Sequence, residues 1–248
     1  MNVAGLTDVG RNRNKNQDAI FFTSQAIGPL PNLFIVADGL GGHNAGEVAS
    51  TKAVEFITNY VREFKAAEFV QSDNYLDLLV TAVQGANATV CELAEANPEM
   101  QGMGTTLTAC IITNEKIFLA HVGDSRAYAI TREKISQLTA DHSYIDNMVK
   151  TGQITAEEAL THPDRHMVTR VLGMPELFEV DGAVKPIADT VSVLLCSDGL
   201  TNMLDDNMIK EIVNGTGLVE HRVKFLIEEA NKRGGLDNIS AVLIDVGR

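Results

Sequence analysis

The chain has 248 residues, of which 45% are apolar and 21% charged, enough to bury a real core in one large domain or two small ones. Its 33 acidic residues against 20 basic ones leave a net charge of −13. That field disfavours nucleic acid or an anionic membrane as partner, and it repels a phosphorylated substrate unless bound cations reverse its sign locally. Three cysteines without a CxxC pair point to reduced, buried thiols. No run of 18 apolar residues predicts a membrane span, and the first residues lack the basic-then-apolar pattern of a signal peptide. The expectation is a cytoplasmic protein, monomeric by default.

In chain order, an apolar and small pattern runs to Asp8-Val9-Gly10. Residues 19–23 predict a short strand, and 33–37 an apolar strand that stops at Asp38-Gly39. The period then becomes helical: Val48, Val54, Ile57 and Val61 predict a helix over about 45–66. Leu76, Leu79, Val83, Ala86 and Val90 predict a second over 75–96, ended by Asn97-Pro98. Strands are predicted at 105–112, 116–122 and 126–131, the first two joined by a hairpin turn at Asn114-Glu115. Residues 140–172 are polar and rich in His and Thr, with helical patches at 142–150 and 156–160. That composition suits an excursion over a site rather than core. A strand at 191–196, helices at 205–213 and 218–232, and a last strand at 239–246 complete the chain. Helices grouped in pairs between groups of strands argue for an α+β layered domain and against a doubly wound array. One domain over 1–248 is expected.

Acids gather at strand tips. Asp38 and Asp198 each follow an apolar strand and precede Gly, Asp124 follows Gly123, and Asp18 and Asp237 stand just before strands. Asp-Gly is ordinary turn chemistry, and each instance alone reads that way. Five such acids flanking core strands suggest convergence, and converging carboxylates repel unless cations join them. An all-oxygen set suits Mg²⁺ or Mn²⁺, and no Cys or His cluster has zinc spacing. The glycines after Asp38 match neither a dinucleotide fingerprint nor a Lys-bearing phosphate loop; they also suit a simple helix-initiating turn. Arg13, beside Arg11 and Lys15, also fits a surface basic patch. Ser125 and Ser197 read as strand-end hydrogen bonders rather than nucleophiles.

Together these segments resemble the 2C-type metal-dependent serine/threonine protein phosphatases, in particular their compact bacterial members. The resemblance spans nearly the whole chain, in family order. It runs from Asp8-Val9-Gly10 and Arg13 with Asn16-Gln17-Asp18, through Val36-Ala37-Asp38-Gly39-Leu40-Gly41-Gly42-His43, to Met103-Gly104-Thr105-Thr106. It continues with His121-Val122-Gly123-Asp124-Ser125-Arg126, Leu138-Thr139-Ala140-Asp141-His142-Ser143, Thr169-Arg170-Val171-Leu172-Gly173 and Cys196-Ser197-Asp198-Gly199-Leu200. Gly234-Gly235-Leu236-Asp237-Asn238 closes it.

The resemblance implies a four-layer αββα sandwich, two antiparallel sheets flanked by pairs of helices, with a flap at about 140–175. It implies hydrolysis of phosphoserine and phosphothreonine in proteins by a metal-activated water, opposite a cognate serine/threonine kinase, with two Mn²⁺ or Mg²⁺ ions and a possible third. Asp38 would bridge the two ions, Gly39 would lend its carbonyl to one, and Asp198 and Asp237 would bind the other. Asp18 would hold metal-bound water, and Asp124 would belong to the third site. Arg13 would bind phosphate, and His43 matches the place of a proposed general acid. His142, His162 and His166 fall in the flap. Gln17 stands where Glu is common, which shifts metal duty onto Asp18. His166 stands where Asn is frequent, a difference that bears on substrate contacts.

Overall fold

The computed structural model describes residues 1–41, 45–64, 74–159, 162–164, 167–174 and 179–246. Eleven strands among the described residues form two antiparallel sheets. One has the order β1 (Asn2–Asp8), β11 (Ile239–Asp245), β10 (Ser192–Cys196), β7 (Arg126–Ile130), β8 (Ile135–Gln137). The other runs β2 (Asp18–Thr23), β3 (Leu33–Leu40), β5 (Leu107–Ile112), β6 (Lys116–Val122), β9 (Asp181–Pro186), with β4 (Gly104–Thr105) added to the end of β3.

Three layers of core follow from this stacking. Phe34, Val36, Cys110 and Leu119 of one sheet meet Ala127, Val193, Leu195 and Val242 of the other. The outer face of the β3 sheet packs on α1 (Ala45–Glu63) and α2 (Tyr75–Ala96). That of the β10 sheet packs on α6 (Asp206–Val213) and α7 (Val219–Lys232), reached through the short α5 (Asp198–Thr201). The order helix pair, sheet, sheet, helix pair is the expected αββα sandwich. Strands β5 and β10 are buried at every residue, because each has a layer on both faces, and continuous apolar runs are what such strands need.

The helices follow their apolar stripes. Val54, Ile57 and Val61 of α1 and Leu79, Val83, Ala86 and Val90 of α2 are buried. Phe56 of α1 lies against Gly85 of α2 so closely that a Cβ there would stand 2.5 Å from its ring. The predicted hairpin joins β5 to β6, with Thr113 N donating to Lys116 O at 2.9 Å.

Several expectations need adjusting. Strand β3 does not stop at Asp38 but continues to Leu40, since Gly39 and Leu40 pair with Thr105 and Gly104. The strand predicted over 105–112 is broken at Thr106, whose N–H turns to Asp38 O at 2.9 Å. Strands β8 and β9 were not legible. Strand β9 is exposed at five of its six positions, so burial left no alternation to read. Of the cysteines, Cys110 and Cys196 are buried and Cys91 only half-buried; all three are free thiols. The stretch over 140–172 carries α3 (Tyr144–Lys150) and α4 (Ala156–Ala159), close to the predicted helical patches.

Candidate metal centre and its cleft

Antiparallel register carries the acids to one end of the sandwich. Asp18 opens β2 directly opposite Asp38 on β3, so both side chains leave the same face of the sheet. In the facing sheet Cys196 pairs with both Ala241 and Arg126. The tip that follows Cys196, with Asp198, therefore lies beside the start of β11, preceded by Asp237, and the start of β7, preceded by Asp124. Ser197 Oγ donates to Asp18 Oδ2 at 2.8 Å and Ser240 Oγ to the same oxygen at 2.6 Å, which ties the two sheets together at this end.

The acids lie within one another's electrostatic field. Burial, then Asp18, Asp198, Asp124 and Asp237 in that order, push the Asp38 carboxyl well above the usual carboxylate range. Burial, and more weakly Asp198 and Asp237, push Asp18 up to about 7 against the opposing Ser240 and Ser197 hydroxyls. Burial and Asp198 push Asp124 up to about 7. Acids that resist ionisation in this way call for positive charge nearby. Among the described residues, no three His, Cys, Asp or Glu side chains stand close enough to hold an ion as they are. The set nonetheless suits hard divalent cations. Its donors are oxygens, and Asp18 Oδ1 is buried with no hydrogen-bond partner among the described residues.

The backbone around Asp38 is fixed. Asp38 N donates to Thr106 Oγ1 at 3.0 Å, and Asp38 O accepts from Thr106 N and Thr105 Oγ1. Gly39 is required by close approach: a Cβ there would lie 2.1 Å from Gly46 O and 2.4 Å from Gln17 O. Thr106 Oγ1 also lies 2.7 Å from Ser125 Oγ, which links the Asp38 strand to the Asp124 turn.

Arg13 is exposed at the mouth of the cleft, with Nη2 donating to Asp237 Oδ2 at 2.8 Å. Its loop, 9–17, has no regular structure and is held by Asn238. The Asn238 amide donates to Val9 O and Lys15 O, both at 2.9 Å, and its oxygen accepts from Gln17 N at 2.8 Å. Both amide protons and one oxygen of a buried side chain are thus spent on one segment.

A cavity of about 970 Å³ opens over the acids. Asp38, Asp124, Asp198, Asp237 and Arg13 line one side, and Ile145, Asp146, Ala159 and Val168 of the excursion the other. The root of the excursion is buried His142, whose N donates to Gly123 O at 2.8 Å and whose Nδ1 accepts from Gly123 N at 3.0 Å. Nδ1 as acceptor places the ring proton on Nε2, which faces Asp181 Oδ2 at 3.1 Å. Beside it, Asp141 receives Arg126 through Nε and Nη2, at 3.0 and 2.6 Å. His162 makes a local turn contact, Nδ1 accepting from Asp164 N at 3.2 Å. His43 and His166 lie outside the described residues.

Asn238, Thr106 and Ser240 were missed as contributors to this site. Ser240 is a lone polar residue in an apolar strand, and that isolation was the available signal; Thr106 and Asn238 stand beside other polar residues and gave none of that kind. Ser125 and Ser197 do hydrogen bond at strand ends.

The family profile described as protein phosphatase 2C matches residues 9–235. A serine/threonine phosphatase stp of Listeria welshimeri is 37% identical over 240 residues, covering 96% of this chain and 93% of the relative. Among solved structures, the serine/threonine phosphatase Stp1 from Staphylococcus aureus superposes with a TM-score of 0.91 at 33% identity, covering 99% of this chain and 95% of that one. The catalytic domain of the serine/threonine protein phosphatase PstP, in complex with two manganese ions, gives 0.82 at 31% identity over 98% and 96% of the two chains.

Proposed function

The chain belongs to the protein phosphatase 2C family of metal-dependent serine/threonine phosphatases, and from that premise we propose that it hydrolyses phosphoserine and phosphothreonine in proteins, opposing a cognate serine/threonine kinase. The observation that supports the site assignment is the convergence of Asp38, Asp124, Asp198 and Asp237 on one cavity, with Asp18 paired directly opposite Asp38. Asp38, Asp198, Asp237, Asp18 and the Gly39 carbonyl would hold two Mn²⁺ or Mg²⁺ ions, with Asp124 contributing to a third. When bound, the ions supply positive charge and ionise water near neutral pH.

Arg13 spends one of its guanidinium N–H groups on Asp237 and presents the rest to the phosphoryl oxygens, the paired geometry that guanidinium offers phosphate. Water attacks phosphorus in line, the bond to the serine or threonine oxygen breaks, and His43 donates the proton that the leaving oxygen needs. No phosphorylated enzyme forms. The cavity walls from the excursion shield the reacting phosphate, with His142 as the anchor of that wall. The protein works as a monomer in the cytoplasm. Among the described residues no helix is long and apolar enough to cross a membrane.

The test is phosphate release from phosphothreonine and phosphoserine peptides and from p-nitrophenyl phosphate across a metal series, with a phosphotyrosine peptide as control. Turnover should require Mn²⁺ or Mg²⁺, and D38N should abolish both metal binding and activity. A fully metallated protein that binds phosphopeptide without releasing phosphate would instead be a recognition module.

A further inference from the structure

Asp18 is bonded unequally through its two oxygens. Oδ2 receives Ser197 Oγ at 2.8 Å and Ser240 Oγ at 2.6 Å, whereas buried Oδ1 has no partner among the described residues. Ser240 lies in β11 of the opposite sheet, Ser197 directly follows β10 of that sheet, and both are fully buried.

Counting protons gives the Ser197 bond one direction. A carboxylate brings no proton, and each hydroxyl brings one. Ser197 therefore donates to Asp18, and its oxygen accepts from Ser240 N at 2.9 Å. Ser240 Oγ is placed to donate its one proton to Asp18 Oδ2 at 2.6 Å or to Thr7 Oγ1 at 2.7 Å, the shorter contact being that to the carboxylate. Thr7 in turn accepts from Asn16 Nδ2 at 2.7 Å, and Asn16 Oδ1 accepts from Asp18 N at 3.1 Å. Two hydroxyl donors thus meet on Oδ2, and none is placed on Oδ1.

We propose that Ser197 and Ser240 are positioning residues that hold Asp18 in one orientation, occupying Oδ2 from the opposite sheet and reserving Oδ1 for the divalent centre. The proposal rests on Asp18 serving that centre. Groups that orient the ligands of a metal site commonly contribute about 10–100-fold to its affinity. Two hydroxyls on one oxygen do so without adding charge to the site. They also link metal binding to the docking of the two sheets, since neither serine shares a sheet with Asp18.

The experiment is a calorimetric Mn²⁺ titration of wild type, S197A, S240A and D18N, and of each serine variant combined with D18N. Circular dichroism confirms the fold, and S240C serves as a near-isosteric weak donor should S240A fail to fold. The expected result is a loss of about 10-fold in Mn²⁺ affinity for each serine variant. In the D18N background the same changes should have no further effect, because coupled residues are non-additive. Equal losses with and without Asp18 would mean that the serines act on packing alone, which overturns the proposal. So would serine variants with wild-type affinity beside a weakened D18N. A D18N protein that binds Mn²⁺ as wild type does would instead remove the premise that Asp18 serves the centre.

Discussion

At the scale of single residues, the cleft divides its labour by charge. Arg13 is exposed and carried by an irregular loop, so its guanidinium can meet phosphate without disturbing the buried acids. R13A should therefore raise KM and weaken inhibition by inorganic phosphate by about 10–100-fold, the range for a lost charge-assisted hydrogen bond. Mn²⁺ affinity should change far less; a loss of metal binding as large as the loss of phosphate binding would contradict this division. His43 can be tested through the leaving group. H43A should slow hydrolysis of an alkyl phosphate by roughly 10²-fold or more while barely affecting p-nitrophenyl phosphate, whose phenolate leaves without a proton. Equal rates of wild type and H43A on the alkyl ester would remove His43 from the chemistry. The five aspartates stood out in the sequence because acids gathered beside apolar strands are conspicuous, whereas Arg13 read as a surface basic patch with Arg11 and Lys15 until the family resemblance singled it out. Asn238 did not stand out, because an amide beside an acid looks like any turn residue until its three backbone partners are seen.

At the scale of elements, the two ends of the chain are strapped to each other. Strand β1 pairs with β11 along its whole length, and Asn238 continues that union by gripping loop 9–17. N238D keeps the shape but turns two donors toward Val9 O and Lys15 O into acceptors. We expect a loss of about 1–3 kcal/mol of stability from the unsatisfied pairs, together with a raised KM because Arg13 loses its support. Chemical denaturation and steady-state kinetics read the two effects separately, and an unchanged KM beside a lowered midpoint would limit Asn238 to stability. Elements with strong periodicity were legible: α2 begins and ends where its stripe predicts, at Tyr75 and Ala96. The exposed strand β9 was not, since it is held by backbone pairing to β6 rather than by an apolar face. The break at Thr106 was hidden for a related reason. It depends on the bond to Asp38, 68 residues away in sequence.

At the scale of the whole molecule, stacked layers create environments that no local segment has. His121 lies in β6, buried between the sheet and the root of the excursion, with Nδ1 2.9 Å from Thr108 Oγ1, Nε2 3.2 Å from Ala140 O and the His142 ring 4.9 Å away. Burial, and next the neighbouring His142, lower its pKa to about 4. The unfolded chain takes up a proton near the ordinary value of about 6.5, while the folded chain does not until about 4. Stability from this group is therefore complete above about 6.5 and lost as the pH falls to 4. The contribution is on the order of 3 kcal/mol. The stability difference between wild type and H121N, from denaturant titrations at each pH, should shrink by about that amount across the window. A constant difference would show that His121 titrates alike in both states.

By itself the sequence determined the chemical inventory and most of the elements. Asp and Gly at strand tips, apolar stripes of helical period and the order of the motifs are local properties, carried in short windows of residues. Only the tertiary structure decided which oxygens of those acids are engaged, which amide holds the Arg13 loop and where His142 is anchored. Those outcomes depend on strands distant in the chain arriving in one register, and on protons shared between sheets that no local window contains.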